Sequence, residues 1–133
     1  MSSNPYAAQI NNLSRATAKV HRSLLDFQKK VHEGLEERRL SPQETLSLAF
    51  NHPDFAWLRR ISGIMAQMDA AADDKKNPAS EEALTAFSDQ LRELFIDGSR
   101  DLGFKARLDT ALAQNPDLWL ELGELRSALG KRP

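Results

Sequence analysis

The chain has 133 residues, with 18 Lys and Arg against 19 Asp and Glu and no cysteine. That length suits one domain with a core of its own, and the missing cysteine excludes a disulfide scaffold, a thiolate zinc site and a Cys nucleophile. A net charge of −1 argues against a dedicated nucleic-acid binder. No apolar run approaches the ~18 residues of a membrane span, and Met1-Ser2-Ser3-Asn4-Pro5-Tyr6 lacks a signal peptide's basic and apolar regions. A soluble, cytoplasmic protein is expected.

Five polar–proline pairs punctuate the chain: Asn4-Pro5, Ser41-Pro42, His52-Pro53, Asn77-Pro78 and Asn115-Pro116. Proline suits a first helical turn because its missing N–H would have no partner there, and a preceding Ser or Asn can cap the turn. The first helix is expected over residues 5–38, about 50 Å at 1.5 Å per residue. Its apolar stripe is Tyr6, Ile10, Leu13, Thr17, Val20, Leu24, Phe27, Val31 and Leu35, at steps of three and four. A helix that long kinks, overhangs the bundle or continues its stripe against a second copy. Residues 1–40 hold seven basic and four acidic side chains, leaving the remainder at −4; this asymmetry favours docking within the molecule over a phosphate footprint.

Ser41-Pro42-Gln43-Glu44 forms a capping box opening a short helix through Leu46, Leu48, Ala49 and Phe50. A third helix starts at Pro53 and carries Phe55, Trp57, Leu58, Ile61, Ile64, Met65 and Met68, an arc wide enough for a central element. Residues 70–80 lose all large apolar side chains and are expected to be a flexible linker and the preferred protease site. Ser80-Glu81-Glu82 opens a fourth helix with the stripe Leu84, Phe87, Leu91, Leu94 and Phe95, broken at Asp97-Gly98-Ser99. A fifth helix uses Leu102, Leu108, Ala111 and Leu112. The sixth begins at Asn115-Pro116, carries Leu118, Leu122, Leu125 and Leu129, and stops at Gly130.

Chemistry-bearing patterns are sparse. His32 and Glu36 share a helical face at a metal-ligand spacing, but a di-metal bundle needs further Glu-x-x-His pairs and none exists. His21 and His32 stand about 16 Å apart along the axis and cannot share an ion. There is no Gly-x-Ser-x-Gly elbow and no glycine-rich phosphate loop, and neighbouring carboxylates such as Glu36 and Glu37 diverge by ~100°. No enzymatic activity, catalytic residue, cofactor or metal is therefore expected.

The most distinctive stretch is His52-Pro53-Asp54-Phe55-Ala56-Trp57-Leu58-Arg59-Arg60-Ile61-Ser62. Trp and Arg dominate interface hot spots. On so apolar a helix Trp57 is read as core, whereas Arg59 and Arg60 are equally suited to ion pairs and to an interface. Trp119 sits one residue off its helix's leucine stripe and reads as a rim residue. Together with Val20-His21-Arg22-Ser23-Leu24-Leu25-Asp26, this stretch resembles a group of small, uncharacterised bacterial proteins with a His-x-x-Leu-Leu-Asp helix followed by a Pro-x-Phe-x-Trp-Leu-Arg segment. The resemblance covers roughly residues 20–69 and loosely the remainder. The chain departs from it at His52, at Asp54 and at Arg60, where proline is common. It implies an all-helical fold and a bacterial cytoplasm, and brings no activity with it.

The sequence thus predicts an all-α, single-domain irregular bundle of five or six helices over residues 1–133, with the first and third at its centre. The expected function is a non-enzymatic protein-interaction or regulatory one, toward another protein or a second copy, through Arg59, Arg60 and Trp119. The alternative is a bundle holding a small ligand or metal between helices, with His21, His32 and Glu36 as its polar lining.

Overall fold

The computed structural model describes residues 4–97 and 100–130. Six helices follow in order: α1 (Pro5–Glu36), α2 (Pro42–Asn51), α3 (Ala56–Asp73), α4 (Glu81–Phe95), α5 (Leu102–Gln114) and α6 (Pro116–Leu129). A 3-10 turn at Pro53–Phe55 leads into α3, and the described residues contain no strand. Four of the five proline marks open a helical element. Asn4, Ser41, His52 and Asn115 each accept a backbone N–H of the turn that follows, and the capping box at Ser41 and Glu44 is complete. Asn77-Pro78 falls instead in the connection before α4, whose cap is Ser80. Gly98 and Ser99, expected to break the fourth helix, lie outside the described residues.

α1 packs chiefly on α3 and α6, with α4 and α5 completing its surroundings. The N-terminal part of its apolar stripe is buried as expected at Ile10, Leu13, Val20 and Leu24. Thr17 is fully buried and satisfies its hydroxyl by donating to the Leu13 carbonyl at 2.7 Å. Beyond Leu24 the buried face departs from the stripe. It runs through Gln28 and His32, leaving Val31 39% and Leu35 74% exposed. The physical reason is drift: an α-helix turns 3.6 residues per turn, so a near-heptad stripe rotates off its neighbours as the helix lengthens. The polar side chains that rotate in find partners. Trp57 donates its indole Nε1–H to Gln28 Oε1 at 3.0 Å. α3 and α6 cover the stripe through Leu24.

α1 ends at Glu37, which adopts the left-handed conformation at φ 55°. α2 buries only Thr45 and leaves Leu46 and Phe50 exposed. α3 contributes Trp57, Leu58, Ile61, Ile64 and Met68 to the core, as its wide arc requires. The helix extends to Asp73, so the connection without helix is 74–80, and Asn4 donates its amide to the Ala79 carbonyl at its far end. In α5 the buried residues are Phe104, Leu108 and Ala111, while Leu102, expected in the core, is 75% exposed in the first turn. α6 buries Leu118, Leu122 and Leu125 and ends at Gly130, whose φ of 72° favours glycine. One apolar cluster joins all these helices except α2, whose Leu48 and Ala49 pack at its edge. Each fully buried Leu, Ile or Phe in it contributes about 1.5–3 kcal/mol over exposure.

Candidate functional site

The three residues singled out for interaction lie in different settings. Arg59 donates Nε–H to the Ala49 carbonyl at 3.0 Å and an Nη2–H to the His52 carbonyl at 2.9 Å. It thereby fastens the C-terminal end of α2, where a cation also meets the negative end of the helix dipole. Arg60 pairs with Glu93 of α4 at 2.9 Å, with its side chain 44% exposed. Trp119 carries no such commitment among the contacts described. It is 62% exposed on the outer face of α6, beside Leu120 at 69%. Trp57, by contrast, is a core residue.

Trp119 edges a groove of about 360 Å³ between the end of α4, α5 and α6. Its apolar lining includes Phe95, Leu108, Leu112 and Leu122, and Lys105, Asp109 and Arg126 stand exposed around it. The helical hairpin that forms it is set by Asn115, which is both the C-cap of α5 and the N-cap of α6. Trp119 lies in the first turns of α6, just beyond that joint. Neither Leu108 nor Leu112 announces the groove in sequence, because the period of a helix does not say which apolar residues a neighbour leaves uncovered.

A second constellation surrounds His32. Its side chain is 7% exposed and its Nε2 lies 3.1 Å from Glu36 Oε1. Nδ1 is buried and has no hydrogen-bond partner among the described residues. The αL stop at Glu37 turns the chain, Glu33 accepts the Leu40 N–H at 2.7 Å, and α2 then carries His52 back to α1. The His32 and His52 rings meet edge to face with centroids 5.0 Å apart, and Phe55 closes a third side at 5.8 and 6.2 Å. His52 Nδ1 accepts the Asp54 N–H at 3.0 Å as the cap of the 3-10 turn. His32, His52 and Asp54 each offer a ligand atom within 4.8 Å of the others.

The i, i+4 spacing thus found the His32–Glu36 contact, but not the two groups that α2 returns to it. His21 is not a member of this cluster. It sits apart on α1, where burial holds its imidazole below the ordinary value. Among the described residues no helix is long and apolar enough to cross a membrane. Compared with protein-family models, with curated proteins and with solved structures, the chain finds no match.

Proposed function

We propose that the chain is a non-enzymatic interaction or regulatory protein that presents Trp119, Leu120 and the adjoining α4–α6 groove to another protein. The observation that carries this reading is the placement of Trp119. A tryptophan 62% exposed at the edge of an apolar groove leaves a large apolar surface in water, and such residues anchor interfaces when a partner covers them. The groove has an apolar lining and charged surroundings, which fits the apolar face of an amphipathic helix. Arg60 is half exposed and bound to Glu93 of α4, whereas Arg59 serves to hold α2. The sequence resemblance supports the bacterial cytoplasm as the setting.

The test is site-directed photo-crosslinking from position 120 in the producing cell, with sedimentation velocity of the purified protein over a concentration series. One discrete crosslinked product is expected, either with a second protein or with a second copy. Trp119→Ala should abolish it while shifting stability by no more than about 0.5 kcal/mol, as for an exposed side chain. Absence of a product, or a product indifferent to Trp119→Ala, rejects this face as the interface.

A further inference from the structure

We propose that His32, His52 and Asp54 form a binding site for one divalent transition-metal ion of the zinc type, with Glu36 orienting His32. The case begins with a proton. The Glu36 carboxylate stands 3.1 Å from His32 Nε2, a placement that suits a ring with its hydrogen on Nε2 and its lone pair on Nδ1. That lone pair is buried in a side chain 7% exposed and has no partner among the described residues. A buried acceptor with nothing to accept from is uncommon and unfavourable. A metal ion is the partner that would satisfy it. A carboxylate behind a histidine is also the usual outer support of a metal-bound imidazole, because it fixes the tautomer and raises the ring's basicity.

The other two ligands come from the 3-10 turn. Two imidazole nitrogens and one carboxylate make a set suited to zinc-like ions, with three protein ligands and room for a fourth. Asp54 and Glu36 bring two negative charges to the dication, while Arg38, paired with Glu36 at 3.0 Å, and Arg59, held on the His52 carbonyl, oppose it from nearby. Ligand atoms spread over up to 4.8 Å must draw together, since a tetrahedral zinc site with bonds of ~2.0–2.1 Å has edges of about 3.4 Å. His32 is fixed by packing, but the His52 and Asp54 side chains are 34% and 47% exposed and can swing inward.

The movement has one definite consequence. Coordination through either nitrogen of His52 removes Nδ1 as acceptor for the Asp54 N–H, so loading releases the cap of the 3-10 turn. Access is available through Asp54, which also lines a cavity of about 350 Å³ with Phe27, Val31 and Arg107.

The experiment is titration of the metal-free full-length protein with Zn2+ against a chromophoric chelator, repeated with Co2+ for its visible absorption. One ion per chain is expected, with a Co2+ spectrum of low coordination number. Loss of an outer-shell carboxylate lowers metal affinity 10–100-fold, so Glu36→Gln should fall in that range and loss of a direct ligand should cost at least about tenfold. His52→Asn removes the ligand yet keeps a good capping residue for the turn, and Asp54→Asn removes the carboxylate without touching the cap. His21→Ala should bind as wild type. Circular dichroism melts establish that the variants are folded, and if one is not, the other supplies the comparison. Wild-type binding no tighter than that of His52→Asn or Asp54→Asn, or a stoichiometry other than one, overturns the site. Equal loss in His21→Ala overturns it too.

Discussion

Gln28 shows how a polar residue becomes part of this core. It lies 6% exposed because the drifting face of α1 carries it inward, and it is tolerated because Trp57 Nε1–H donates to it. Gln28→Leu keeps the volume and removes the acceptor, leaving a buried indole N–H unpaired; the expected loss is about 1–3 kcal/mol by urea denaturation. His21 gives a pH dependence. Its imidazole is held below 6.5 by burial, so the unfolded chain takes up its proton first as pH falls. Its contribution to stability is fully present above pH 6.5 and is lost as pH drops through the folded value. Replacing it with Gln should flatten that part of the stability–pH curve. Melts of wild type and His21→Gln between pH 5 and 8 with parallel slopes would remove His21 from the account.

At the level of elements, what was legible in the sequence follows the range of the forces involved. Helix starts depend on neighbours within four residues, and so Ser41, Glu44 and Asn115 declared themselves before any fold was known. Burial depends on what lies opposite. Leu102 looked like core by period but sits in an exposed first turn, and Phe104, two residues on, is buried instead. The same rule explains the two sites. Trp119 was readable as a rim residue from its offset to the Leu118–Leu122–Leu125 stripe, whereas the meeting of His32 with His52 depends on how α2 folds back. Local backbone terms remain predictable at this scale. Gly63 is exposed in the interior of α3, and a Cβ there would meet nothing within 4 Å. Gly63→Ala should therefore stabilise the protein by about 0.5–1 kcal/mol. Gly130→Ala should not, because φ is 72° there. Comparison of the two variants by thermal denaturation separates helix propensity from capping geometry.

For the whole molecule, the chain order and the packing order differ, and this has a consequence for integrity. α1 is first in sequence but packs on α3, α4 and α6, so both sides of the 74–80 connection are tied through it. Ser14 donates to Asp69 at 2.6 Å on one side. On the other, Lys19 pairs with Glu124 at 3.0 Å and Ser23 donates to Glu121. Of the seven basic residues in the first forty, Lys19 meets an acid of α6. The Lys19–Glu124 pair is exposed and worth about 0–1 kcal/mol; the apolar surface between the helices supplies most of the attachment. Lys75 and Lys76 lie exposed in the connection, where trypsin has its best access. Limited trypsin digestion should therefore cut first at these lysines and yield two fragments that stay together on gel filtration. They should separate only in denaturant. Fragments that part under native conditions would mean that α1 does not hold the two halves as one unit, and that the shared core is weaker than its burial indicates.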